Sequence, residues 1–261
     1  MTKFNLSVTK VALILALFAT FQSCKKSDVQ DVTPATESID IAALQQSVSN
    51  SLGAPEGSVV YNKELKQFVV EEDSYVSLED AQLRFGNKGI ASGVNGTTQR
   101  EHFYLIVPTK VKAITIFADA TVPAAWLTAL DSAIASWNRT GSAVQMKRVT
   151  SATGATTKVT TNYTASSTIA SAAYPDYYGN PGSRMTINTY QNGLTASKKR
   201  FAITHELGHT IGFGHTNSTW GYAIEGTPTT DSYSVMNSTV LNWSNFTSWD
   251  LLAVKTLYPK S

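Results

Sequence analysis

His205-Glu206-Leu207-Gly208-His209-Thr210-Ile211-Gly212-Phe213-Gly214-His215 contains three of the four histidines in this 261-residue chain. Positions 205 and 209 are four apart, so on a helix both imidazoles project from one face and can share a metal ion. Glu206 falls about 100° round the same helix, near the metal without having to bind it. Gly212 can leave the helix through a backbone conformation that is costly for other residues, and the turn can return His215 as a third ligand. Three neutral imidazoles suit Zn²⁺ and leave the fourth tetrahedral position to water, the mark of a catalytic rather than a structural ion. A pattern this extended arises by chance on the order of once in a million chains of this size.

The sequence around this stretch reads as an α+β domain with a twisted mixed sheet. Apolar runs at 103–107 and 113–117 are β-like. Pro123 opens a helix in which Leu127, Leu130, Ile134 and Trp137 recur at spacings of three and four. Short β-like segments follow at 144–150, 158–163, 168–174 and 184–188, separated by turn-rich connections. The helix carrying His205 and His209 runs from about 197 to 211. A last helix starts near Ser248 with Asp250 in its first turn and stops at Pro259.

Residues 205–215 resemble the zinc signature of the metzincin metallopeptidases. The string 205–217, the preceding Pro181-Gly-Ser-Arg-Met-Thr-Ile-Asn188 and the start of the chain are most similar to the dual-action HEIGH metallo-peptidase family, with Leu207 where that family's name has Ile. The resemblance implies a metzincin-like catalytic domain over residues 99–261. It implies one zinc ion on His205, His209 and His215, Glu206 as general base, and a peptide or protein substrate. It also implies a methionine turn under the metal, and Ser234-Val235-Met236-Asn237 lies where such a turn belongs, Met236 standing 21 residues after His215. Position 238 is Ser, so the tyrosine that reaches the zinc in astacin-like and serralysin-like members is absent. No glycine–aspartate calcium repeats follow the domain. Metzincins pair an extended peptide with a sheet edge, here expected at 168–174, and the loop containing Trp220 and Tyr222 is expected to shape the pocket after the scissile bond.

Composition is that of a soluble globular protein, with 42% hydrophobic and 15% charged residues. A net charge of +2 and the lack of any basic stripe give no reason to expect a nucleic-acid partner. Lys3 and Lys10 flank an apolar run at 11–21 that is too short to span a bilayer but suits a secretory signal. The only cysteine, Cys24, follows directly, which excludes an intramolecular disulfide and a cysteine-based zinc site. The arrangement resembles a bacterial lipoprotein signal, implying cleavage after residue 23 and a lipid on Cys24. The expectation is a monomer tethered outside the cytoplasm, at the outer membrane or cell surface. His102 stands apart and reads as a surface or structural histidine.

Charge divides the mature chain. Residues 24–98 carry 11 acidic and 6 basic side chains, a net of −5, while residues 99–261 carry 8 and 13, a net of +5. Residues 24–98 thus read as a tether and an N-terminal segment. In one reading it holds the enzyme latent, with Asp73, Glu79 or Asp80 capping the zinc; in the other it is a spacer. The function expected is a zinc endopeptidase. The alternative is a surface binding or adhesion lipoprotein that keeps the zinc fold without efficient turnover, and Glu206 favours the enzyme because a binding module has no need of a general base.

Overall fold

A computed structural model describes residues 39–86, 100–101, 105–219, 221–228 and 230–260. The signal, Cys24, His102 and Trp220 lie outside them. Asp40–Ser261 forms one compact unit. Strands from residues 59–77 and from residues 114–188 belong to one sheet.

The first helix, α1 (Ile41–Leu52), is capped by the Asp40 side chain on the Ala43 amide. Three strands follow, β1 (Val59–Asn62), β2 (Gln67–Val70) and β3 (Ser74–Ser77), and then α2 (Leu78–Phe85), capped by Ser77. β4 (Arg100–Glu101) and α3 (Pro108–Val111) lead into β5 (Ile114–Ala118) and the long helix α4 (Ala124–Asn138). Next come β6 (Met146–Val149), β7 (Thr157–Asn162), β8 (Ala170–Ala173), β9 (Arg184–Asn188) and a 3-10 turn at Thr189–Gly193. The chain ends with α5 (Ala196–Thr210), the two-residue strands β10 (Phe213–Gly214) and β11 (Tyr222–Ala223), and α6 (Ser248–Leu257). The expected strand at 103–107 is absent over its described part. Leu105–Val107 is irregular because Pro108 opens α3, and the residue before a proline is held extended.

The main sheet has the order β1-β2-β3-β8-β9-β7-β5-β6. β9, β7, β5 and β6 run parallel, β8 pairs antiparallel with β9, and β3 joins β8 in parallel register. This mixed sheet with its packed helices is the α+β class expected. Helices α4 and α5 pack together, and Trp137 of α4 donates its indole N–H to the Thr204 carbonyl of α5 at 3.0 Å. Phe213 stacks on Trp137 with ring centroids 5.9 Å apart. α5 is therefore buried nearly all round, its last ten residues entirely. At the other end of the chain, the Tyr258 hydroxyl donates to the Ile211 carbonyl where α5 stops and accepts from the Ile106 amide at 3.1 Å.

Candidate metal centre

Helix α5 presents His205 and His209 from one face, and the turn through Gly212 (φ 100°) brings His215 back to them. The Nε2 atoms of His205 and His215 are 3.1 Å apart, close to the ~3.4 Å between two nitrogens on one tetrahedral zinc. Two of the rings are fixed by backbone carbonyls. His205 Nδ1 lies 2.7 Å from the Val235 oxygen and His209 Nδ1 2.7 Å from the Phe213 oxygen. Donation at Nδ1 selects the tautomer whose Nε2 lone pair is free to bind a metal.

A fourth group enters from the other end of the sequence. Asp73 lies in the turn between β2 and β3; its Oδ2 is 3.4 Å from His205 Nε2 and 3.2 Å from His215 Nε2, and its Oδ1 is 3.3 Å from His209 Nε2. Asp73 Oδ1 and His209 Nε2 are close yet make no hydrogen bond, and both are buried. One donor atom from each of Asp73, His205, His209 and His215 lies within 4.8 Å of all the others, the spacing one shared ion requires. The donor set of three imidazoles and a carboxylate fits zinc. Glu71 completes the surroundings: its Oε2 accepts from the His215 amide at 3.1 Å and stands 3.5 Å from His215 Nδ1.

Burial sets the electrostatics. It pulls the His205 pKa down to about 4, so that imidazole is neutral at pH 7. Burial acts the same way on His215, but Asp73 and Glu71 outweigh it and raise the value to about 9. For Asp73, burial opposes ionisation, yet His215, His209 and His205 together hold its carboxyl well below the usual carboxylate range. Glu206 has no such partner. Burial, and then the charge on Asp73, pushes its carboxyl well above the usual range, and its Oε2 is buried without a hydrogen bond.

Met236, in the turn 234–237, packs against α5 between Glu206 and His209. Its sulfur occupies the space beside Gly208, where a Cβ would sit 2.3 Å from Sδ. This explains the glycine between Glu206 and His209: the helix has to pass over the methionine without a side chain. Ser238 is tied to Asn217 by bonds of 2.7 and 3.0 Å.

A cleft of about 610 Å³ opens over the site, walled on one side by Phe201, Ala202, Thr239 and Val240 and on another by Thr168 and Ile169. Asn217 and Ser218, from the start of the loop between His215 and Met236 that was expected to shape the pocket, line it together with residues 237–240; Tyr222 is not among the lining residues and pairs in β11 with Glu101. Of the three carboxylates considered from sequence, only Asp73 reaches the histidines. Glu79 is exposed, and Asp80 is engaged by Ser77 and the Tyr177 amide. Sequence reasoning missed Glu71, whose one local signal was membership of the acidic run 71–73.

The chain aligns structurally with myroilysin at 14% identity and a TM-score of 0.41, covering 64% of this chain and 94% of that one. It aligns likewise with high choriolytic enzyme 1, a hatching enzyme zinc-protease from the medaka fish Oryzias latipes, at 14% identity and a TM-score of 0.41, covering 61% and 95%. No curated protein matches the sequence. A family pattern does, over residues 69–220, from β2 through the Asp73 turn to just past His215. That stretch is more than half of the chain, and it places the protein in the dual-action HEIGH metallo-peptidase family.

Proposed function

We propose that the protein is a zinc endopeptidase acting outside the cytoplasm, held at a membrane through a lipid on Cys24. The observation that carries the activity is a buried carboxylate without a hydrogen-bond partner, Glu206, beside three converging imidazoles on the floor of a cleft. A binding protein would gain nothing from leaving that carboxylate unpaired.

When bound here, zinc supplies a Lewis acid and a water acidic enough to ionise near neutral pH. His205, His209 and His215 would hold it, and the rings of His205 and His209 are locked by Val235 and Phe213. Glu206, raised in pKa and lining the same cleft, accepts a proton from the attacking water as the oxygen–carbon bond forms at the peptide carbonyl. The carbon–nitrogen bond then breaks, and Glu206 returns the proton to the departing amine. Phe201, Ala202 and Val240 offer an apolar wall to the substrate, and Glu206 lies buried at the base of the same cleft.

The chain without residues 1–23 should cleave a quenched peptide library, and chelation should abolish the cleavage until zinc is restored. Glu206→Gln should lower turnover by about 10²–10⁴-fold while still binding one zinc per chain. Cleavage that survives the substitution would remove Glu206 from the mechanism. The anchor is tested separately: Cys24→Ser should move the protein from the membrane fraction to the soluble one, and continued membrane retention would refute lipidation.

A further inference from the structure

Arg200 stands on α5 five residues before His205, yet it does not line the cleft over the histidines. It lines a second cavity, of about 380 Å³, together with Arg139 at the end of α4 and with Trp243, Ser244 and Phe246 of the segment leading to α6.

The Arg200 side chain is fixed on its face and on its edge. Its guanidinium lies over the Trp243 ring, 4.8 Å from the centroid. One Nη donates to Ser136 Oγ at 3.0 Å, and that hydroxyl is itself committed to the Ser132 carbonyl at 2.8 Å, leaving a lone pair for the arginine. Trp243 packs edge-on against Phe246 with centroids 5.5 Å apart, and Phe246 against Trp137 at 4.7 Å, so the platform under the guanidinium continues into the core. A side chain held in this way has already lost the freedom that binding would otherwise cost.

What this anchored cation lacks is a counter-charge. Among the described residues no carboxylate pairs with Arg139 or Arg200. The Arg200 Nε is buried without a hydrogen-bond partner. Burial, and then the charge on Arg139, lower the Arg200 pKa. The ordinary reading of two neighbouring arginines is a solvated surface, and it suits Arg139, which is exposed and caps α4 through its backbone amide alone. It does not suit Arg200, which is half-buried and immobilised beside a like charge. Folding has assembled an unfavourable pair that an anion would neutralise. Guanidinium forks match the paired oxygens of carboxylate, phosphate and sulfate.

We propose that this cavity binds an oxyanion, held by the guanidinium groups of Arg139 and Arg200. The chain that supplies Trp243 and Phe246 to it also supplies Thr239 and Val240 to the catalytic cleft, and Arg200 adjoins Phe201, which walls that cleft. The anion thus binds on segments shared with the cleft, where an acidic side chain of a polypeptide and a free anion offer the same chemistry. The site does not depend on the endopeptidase reading, because its test measures binding alone.

The test uses the zinc-loaded chain without residues 1–23, titrated with sodium sulfate against sodium chloride of equal ionic strength. Calorimetry should show one saturable sulfate per chain, and tryptophan emission should shift with the same affinity because Trp243 carries the Arg200 guanidinium. Arg139→Ala, at an exposed position, should weaken sulfate about tenfold or more, the loss expected for one charge-assisted contact. Arg200→Lys, which keeps the charge but not the fork, should weaken it as well. Competition between an oligoglutamate peptide and sulfate would sustain the site and assign it to polypeptide carboxylates. Sulfate binding that oligoglutamate leaves untouched would sustain it as a site for a free anion. Sulfate binding unaltered by both substitutions would put the anion elsewhere and overturn the proposal, as would no saturable binding of either probe.

Discussion

Gly182→Ala should lower the stability of the fold sharply. Gly182 lies just before β9, and its amide donates to the Thr210 carbonyl at the end of α5 at 2.8 Å. Its own carbonyl accepts from the Thr157 hydroxyl at 2.8 Å. A Cβ added there would sit 1.8 Å from the Ala173 carbonyl oxygen and 3.0 Å from the Thr210 Cα. Both obstacles are backbone and neither can swing aside. Relief requires prising β8 from the end of the helix that carries the metal ligands. Overpacking usually costs about 1–3 kcal/mol, and a backbone collision belongs at or beyond the top of that range. Urea unfolding monitored by tryptophan fluorescence would measure it, and a midpoint within experimental scatter of wild type would show that the loop at 174–181 relaxes freely. Gly193, around which nothing stands within 4 Å, is the matched control and should accept alanine with little change.

Residues 205–215 were legible because every requirement on them is local: helical spacing sets two ligands, a glycine ends the helix, and the third ligand follows within one turn of chain. Helix α4 and the strands from β5 to β9 were legible for the same reason, since apolar periodicity is decided by which face a residue buries. What the sequence could not decide is which carboxylate of the N-terminal segment reaches the histidines, since Asp73, Glu79 and Asp80 were all candidates. Asp73 and His205 are 132 positions apart, and nothing in the run Glu71-Glu72-Asp73 says which carboxylate points inward. That is decided by two left-handed residues and by the register of β3 on β8. β3 itself is Ser-Tyr-Val-Ser, too short to announce a strand beside an acidic turn and a helix cap. Gly208 shows the intermediate case. Its place in the motif was visible, but its reason, the Met236 sulfur under the helix, is a long-range contact.

Asp250→Ala should cost stability and zinc affinity together, although Asp250 belongs to α6 and touches no ligand. Its Oδ1 accepts from the Ser234 hydroxyl at 2.6 Å, and its Oδ2 accepts from the Val235 amide at 3.1 Å and the Thr247 amide at 2.9 Å. With the Thr247 side chain capping the Asp250 amide, one carboxylate closes both the start of α6 and the methionine turn. Val235 is the residue whose carbonyl holds His205 Nδ1 at 2.7 Å, and Ser234 Oγ accepts from the Met236 amide at 3.0 Å. Removing the carboxylate leaves three donors in a region where Ser234, Val235 and Met236 are buried. Such donors cost about 1–3 kcal/mol each when unpaired, and partial rehydration should bring the total to roughly 3–5 kcal/mol. The carbonyl that orients His205 then loses its anchor, and loss of a group that positions a ligand typically weakens metal binding about 10–100-fold. Burial holds the Asp250 carboxyl above its ordinary pKa, so folding favours the protonated form, and the charged form carries a cost that appears as pH rises through the native value. Asp250→Asn is uncharged and keeps one acceptor, so it should fall between wild type and alanine and lose that pH dependence. Zinc competition against a chromophoric chelator, run beside urea unfolding, separates the two effects. Unchanged zinc affinity in a destabilised Asp250→Ala protein would show that the methionine turn holds His205 without help from α6.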